Sequence, residues 1–227
     1  MKITCTADLH GYYPELPGGD LLIIAGDLTA SDKQDQHWEF QKWACEQDYK
    51  RVIFISGNHD NWLQSNECGG VPDFDGQKLE YLCDSGTEFE GLKIWGSPWT
   101  AQFPGINPKC CAFTMPFGCD TEEHLMDQWR LIPTDTDILI THGPAYGILD
   151  GIPQMHDGTI HHAGNKSLFS WLKYVGRPRY HIFGHIHEAY GQEEYFATYN
   201  DKMMKSINCS HVNERYKPVN KPMSFEI

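Results

Sequence analysis

Apolar residues along this chain come mostly in short unbroken runs rather than in alternation. The runs are Ile3–Ala7, Leu21–Ala25, Val52–Ser56, Leu92–Trp95, Ile138–Thr141 and His181–Phe183. Unbroken runs of this length suit strands buried on both faces, so the pattern predicts a layered α/β fold. Three segments read as helices. Gln36–Tyr49 carries Phe40, Trp43 and Ala44 near helical spacing, with Ser31-Asp32 placed to cap it; His162–Val175 carries Leu168, Trp171, Leu172 and Val175 on one stripe; Glu122–Leu131 is the third. Met204–Asn208 and Met223–Ile227 read as late strands. Glu67–Gly76 and Thr100–Cys119 read as loops, and the second, with three prolines and two glycines, is long enough to suggest a functional loop. No internal repeat, low-complexity tract or linker interrupts the chain, and one domain over residues 1–227 is expected.

Polar residues end five of the runs. Asp8-Leu9-His10 follows the first, Gly26-Asp27 the second and Gly57-Asn58-His59-Asp60 the third; His142-Gly143-Pro144 and Gly184-His185-Ile186-His187 follow two later ones. In α/β sheets, sites form outside the carboxyl ends of strands, so these groups meet if the strands run parallel. Asp8 and His10, like His185 and His187, are two residues apart, which in extended backbone points both toward one site. Gly26, Gly57 and Gly184 allow tight turns and close backbone approach. The donors Asp8, His10, Asp27, Asn58, His142, His185 and His187 exceed what one ion needs. Two ions sharing a bridging carboxylate would use all seven. Mixed carboxylate and imidazole ligation suits Mn²⁺, Fe or Zn²⁺. Two such ions about 3.5–4 Å apart are the apparatus for in-line attack on phosphorus.

Charge narrows the partners. The chain has 227 residues, 31 Asp plus Glu against 18 Lys plus Arg, and a formal charge of −13. That disfavours long nucleic acid and an anionic membrane surface, while bound ions could still reverse the sign locally for a small anion. No apolar run is long enough for a membrane span, and the N-terminal stretch meets Asp8 too early for a signal peptide, so a cytoplasmic location is expected. The eight cysteines, Cys5, Cys45, Cys68, Cys83, Cys110, Cys111, Cys119 and Cys209, are then read as reduced thiols; soft-metal binding by Cys110, Cys111 and Cys119 is the lesser alternative. His37, His124, His156, His181 and His211 read as structural or surface residues.

Asp8-x-His10, Gly26-Asp27, Gly57-Asn58-His59-Asp60, His142-Gly143 and Gly184-His185-x-His187, in this order, resemble the calcineurin-like metallophosphoesterase superfamily. Gly96-Ser97-Pro98-Trp99, Thr141–Pro144, Phe183–Glu188 with Tyr190-Gly191, and Ile207-Asn208-Cys209-Ser210 are similar to its metallophosphoesterase-domain-containing branch. Some animal members of that branch lack one histidine of the Gly-His-x-His block; here the block is intact, which implies a complete dinuclear site. The resemblance implies a four-layer α/β/β/α sandwich of two mixed sheets flanked by helices. It implies one metal on Asp8, His10, Asp27 and His187 and a second on Asp27, Asn58, His142 and His185. It further implies a bridging hydroxide as nucleophile and His59 at the leaving-group oxygen, with Asp60 orienting His59 or supporting the ligands. Trp99, His161 and His162 are candidates to flank the substrate. Tyr12, Tyr13, Trp62 and Phe103 are nearby aromatics read chiefly as packing. Scarce Lys and Arg near the motifs favour a small phosphodiester, cyclic nucleotides among the candidates. Phosphomonoester or phosphoprotein hydrolysis, and nucleotide binding with low activity, are the alternatives. The oligomeric state stays open.

Overall fold

The structure, a computed structural model, describes residues 1–65, 78–102, 109–116, 118–154, 158–197 and 202–227; for 195–197 and 202 it describes the backbone alone. The predicted loop Glu67–Gly76, and Cys68, Phe103 and His156, lie outside the described residues.

The elements are β1 (Lys2–Thr6), β2 (Gly19–Ala25), α1 (Gln34–Glu46), β3 (Tyr49–Ile55), α2 (Asn61–Ser65), β4 (Leu79–Tyr81), β5 (Ser85–Phe89), β6 (Leu92–Ser97), β7 (Thr100–Ala101), β8 (Thr114–Met115), α3 (Thr121–Trp129), β9 (Ile138–Thr141), β10 (Gly151–Pro153), β11 (Ile160–His162), α4 (Lys166–Tyr174), β12 (Tyr180–Phe183), β13 (Gly191–Ala197), β14 (Lys202–Asn208) and β15 (Met223–Glu226). Two mixed sheets form the centre, in the orders β15-β1-β2-β3-β4 and β13-β14-β12-β9-β6-β5. In the first, β1 to β4 are parallel and β15 is antiparallel. In the second, β14, β12, β9 and β6 are parallel, with antiparallel β13 and β5 at the edges.

The unbroken apolar runs have a direct explanation in these layers. Alternate residues of one strand face different apolar layers. Ile3, Cys5, Leu21, Ile23, Ile53 and Ile55 of the first sheet meet Ile94, Ile138, Ile140, Ile182 and Ile207 of the second. The opposite faces are covered by helices. Leu22, Ile24, Val52 and Phe54 pack on Phe40 and Ala44 of α1. Leu139 and Phe183 pack with Leu125 and Trp129 of α3 and Leu168, Trp171 and Leu172 of α4. The result is the expected four-layer sandwich, and it leaves little room for polar residues inside the strands.

Several boundaries differ from the sequence pattern. The helix expected over Gln36–Tyr49 ends at Glu46, and Tyr49 opens β3, packed in the same core. Ser31-Asp32 does not cap α1; Lys33 stands at the cap position without a side-chain bond. The Asp32 carboxylate instead accepts the Trp62 N–H at 3.1 Å and pairs with His37 Nε2 at 2.9 Å. The helix expected from His162 starts at Lys166, because Asn165 Oδ1 accepts the Leu168 N–H and His162 belongs to β11. Within the expected loop Thr100–Cys119, β7 and β8 pair in parallel.

Candidate metal centre

All five polar strand ends meet at the same edge. The ends of β1, β2 and β3 in one sheet face those of β9 and β12 in the other. Bonds across the sheets fix the join: His142 Nδ1–H donates to Ala25 O at 3.0 Å, and the His185 N–H donates to Asp8 Oδ2 at 2.8 Å. Ser210, just beyond β14, places its Oγ 2.6 Å from the same Asp8 oxygen.

The expected donors Asp8, His10, Asp27, Asn58, His142, His185 and His187 are brought together. His187 Nε2 lies 3.5 Å from Asp8 Oδ1, and His10 Nε2 lies 3.6 Å from Asp27 Oδ2. The other Asp27 oxygen, Oδ1, is 3.5 Å from His142 Nε2, which is in turn 2.9 Å from Asn58 Oδ1 and 3.2 Å from His185 Nδ1. Asp27 thus faces one set of donors with each oxygen. Asp8, His10 and His187 offer ligand atoms within 4.8 Å of one another, as do Asp8, Asp27 and His142, and His10, Asp27 and His59.

The reason these side chains converge differs from the simple strand rule. Asp8, His10, Asp27 and His185 all have positive φ, at 50°, 43°, 55° and 71°. Asp8 and His10 follow β1 rather than extending it, so left-handed turns aim them, not the two-residue alternation of a strand. The same holds for His185, with His187 opening a short 3₁₀ turn. Such backbone costs energy at non-glycine residues and persists where the surroundings enforce it. The glycines act as expected. A Cβ on Gly57 would lie 2.2 Å from Asp27 Oδ1, and one on Gly184 the same distance from Asp8 Oδ2.

The donor set fits metal ions on two counts. Asp8 Oδ1 and His10 Nε2 are buried and, among the described residues, have no hydrogen-bond partner, although both point at other candidate ligand atoms. Buried polar atoms left in this state are unusual and call for a ligand. Two of the imidazoles, His10 and His185, are also held in the neutral, ligating form, whereas the Asp27 and Asp8 charges overcome burial to raise His142 and His187. Burial outweighs the neighbouring Asp27 and Asp8 charges to hold His10 at about 4, and burial, helped by His142, holds His185 at about 3. His142 and His187 each point Nδ1 at a main-chain carbonyl, Ala25 O and Asn213 O, which leaves Nε2 for the centre. Burial opposes ionisation of Asp8, yet His187, His142 and His10 hold its carboxyl far below the usual range.

His59 lies at the mouth. Its N–H donates to Asp27 Oδ1 at 2.9 Å, and its Nε2 is 3.8 Å from Asp27 Oδ2. Asp60 takes another role than orienting this ring. Its buried carboxylate accepts the N–H groups of Asp27, Leu28 and Gly57 at 2.9, 3.1 and 2.7 Å, binding the β2 and β3 turns together. Burial and the charge of Asp27 push its pKa up to about 6.

A cavity of about 230 Å³ opens beside the centre, and Asp27, Asn58, His59, His185 and His187 contribute to its wall. The expected substrate residues Trp99, His161 and His162 are not among its lining residues. Trp99 packs under the α3/α4 layer and donates its Nε1–H to Asp84 Oδ2 at 2.7 Å. His161 and His162 are exposed on β11, where His162 Nδ1 pairs with Asp150 at 2.7 Å. Tyr13 stacks on Trp43 and Trp62 on His37, as packing residues do. Cys110 and Tyr216, which line the cavity, were not expected there. Cys110 stood out only as part of a cysteine cluster. Tyr216 lies in the tail, where no run or motif marks it.

A family model described as calcineurin-like phosphoesterase matches residues 1–189. The human "Metallophosphoesterase domain-containing protein 1" is 30% identical over 249 aligned positions, covering 100% of this chain and 71% of that protein. The mouse protein of the same name gives the same figures. Among solved structures, TT1561 of Thermus thermophilus has the same fold, with a TM-score of 0.60 at 16% identity over 99% of this chain and 97% of that one.

Proposed function

Since the chain belongs to the calcineurin-like phosphoesterase family, which points to metal-dependent phosphoester hydrolysis, we propose that it hydrolyses small phosphodiesters at a site where Asp27 would be shared by two metal ions. The observation that carries this reading is the position of Asp27, with one oxygen 3.6 Å from His10 Nε2 and the other 3.5 Å from His142 Nε2. One ion would be held by Asp8, His10, Asp27 and His187, the other by Asp27, Asn58, His142 and His185. Bound divalent ions supply a Lewis acid that neutralises phosphoryl charge and acidifies water near neutral pH; Mn²⁺, Fe and Zn²⁺ all suit these ligands.

The protein's own groups would do the rest. Cys110 Sγ lies 3.3 Å from His59 Nδ1, and burial pushes its thiol up to about 11, so a neutral thiol, able to accept the Nδ1–H of a protonated His59, holds the ring in place. His59, when protonated on both nitrogens, would give its Nε2 proton to a leaving oxygen at the cavity and remain as the neutral ring. Asp60 holds the turns that carry Asp27 and His59, and acts as a positioning residue.

The cavity wall favours a diester. Glu188 and Glu214 line it, and no Lys or Arg does among the described residues. A monoester brings close to two negative charges at neutral pH, a diester one. Cyclic nucleotides are one candidate class of such diesters. The test is turnover of bis(p-nitrophenyl) phosphate against p-nitrophenyl phosphate in Mn²⁺, Fe²⁺ and Zn²⁺, with chelator as control. Diester turnover about tenfold or more above monoester turnover is expected. Monoester turnover in excess would make the protein a phosphomonoesterase, and binding of phosphoesters with no turnover in any metal would make it a binding protein.

A further inference from the structure

The aromatic ring of Tyr216 lies edge-on against three imidazoles of the centre, with ring centroids 4.8 Å from His10, 5.3 Å from His187 and 6.2 Å from His59. It belongs to none of the apolar clusters and is 46% exposed, so burial does not account for it. Its backbone sits at a φ of 55°, a costly conformation for an aromatic residue.

The surrounding turn is built to hold it there. Asn213 Oδ1 accepts the N–H groups of Arg215 and Lys217, both at 3.0 Å, and the Tyr216 N–H donates to Asn213 O at 2.8 Å. The same Asn213 carbonyl accepts His187 Nδ1–H at 3.2 Å, which ties the turn to the centre itself. Tyr216 is thus a rigidly mounted, half-exposed aromatic ring in the cavity wall, and the apolar residues Ala101, Ile152 and Ile186 are part of the same wall.

We propose that Tyr216 is a substrate-contacting residue that selects phosphoesters carrying a planar aromatic substituent, by stacking or edge contact with that substituent. The inference rests on the phosphodiesterase reading for the phosphoryl half of the ligand. An aromatic pair of this kind is worth about twofold to tenfold in affinity beyond the extra apolar area a phenyl group buries, whereas a simple alkyl substituent gains little from the ring.

Non-hydrolysable diester analogues test it without turnover. Methyl(phenyl)phosphinate and dimethylphosphinate are both monoanions, and neither has a P–O ester bond to cleave. Each is titrated into the Zn²⁺-loaded 227-residue chain by ligand-observed NMR. The wild type is expected to bind the phenyl compound about tenfold more tightly. Tyr216→Leu is expected to bring the two within about twofold, and Tyr216→Phe to keep the preference. Tyr216→Asn, whose side chain tolerates positive φ, serves as a second truncation should the leucine variant misfold. Equal affinities in the wild type, binding of neither compound, or a preference that survives truncation would overturn the assignment. A normal aromatic preference with no diester turnover would instead sink the hydrolytic reading and leave the role of Tyr216 standing.

Discussion

The Asp60 carboxylate is fully buried and accepts three backbone N–H groups from two different turns. An asparagine in its place keeps the shape but turns an NH₂ toward at least one of those donors. One buried N–H then lacks an acceptor, at a cost of about 1–3 kcal/mol. Asp60→Asn is expected to lower the free energy of unfolding by that amount in denaturant titration; unchanged stability would contradict the clamp. The sequence placed Asp60 beside the centre but not its partners, because a carboxylate bonded to main chain leaves no pattern in other side chains. The meeting of the seven candidate donors was legible for the opposite reason, since each is a side-chain type recurring at a strand end. Trp99 misled because it follows β6 closely, yet its indole turns inward to Asp84. Tyr216 was invisible because its approach to His10 depends on the fold of a tail turn.

At the scale of elements, strands of the two sheets were read well and the short polar ones poorly. Apolar runs mark β2, β3, β9 and β12, whose alternate residues face two buried layers. β5 has no fully buried residue and β11 is short and exposed, so no apolar run announces them. The strand-end turns carry their own prediction. A methyl group on Gly184 would meet Asp8 Oδ2 at 2.2 Å and Ala7 Cβ at 2.6 Å. Gly184→Ala is therefore expected to displace Asp8 and reduce metal affinity by about tenfold or more, a typical loss when a ligand's support is disturbed. Metal content after dialysis checks this, with circular dichroism showing the sheets intact; undiminished retention of two ions would contradict it.

Within β12, His181 gives a pH dependence of stability. It is fully buried, and burial holds it neutral down to about pH 3, against 6.5 for an exposed histidine. Its Nε2 bonds Thr141 Oγ1 at 2.8 Å, and that hydroxyl itself donates to Gly143 O, so Nε2 is the protonated nitrogen. Below pH 6.5 the unfolded chain takes up a proton that the folded chain does not, so stability falls as pH falls from 6.5 toward 3. Between pH 7.5 and 5.5 this residue alone is expected to remove about 1.4 kcal/mol. His181→Asn should show a correspondingly smaller drop over the same interval in urea titration, and an equal drop in both proteins would contradict the assignment.

For the whole molecule, the two sheets meet back to back and bring five strand ends to one edge, which is what assembles a site from residues as distant as Asp8 and His187. The order of the motifs made that assembly readable once the sheets were taken as parallel at their centres. Among the described residues no helix is long and apolar enough to cross a membrane. The acidic balance of the chain, −13 overall, continues into the cavity wall at Glu188 and Glu214, so binding of an anion there would depend on cations at the centre. Asp27 stands at the middle of this arrangement, and its removal is the most direct test of the account. The measurement is the rate of bis(p-nitrophenyl) phosphate hydrolysis by wild type and Asp27→Ala at saturating Mn²⁺, with folding confirmed by circular dichroism. The expected result is metal-dependent turnover in the wild type and a fall of at least about a thousandfold in the variant; a near-wild-type rate from Asp27→Ala would contradict it.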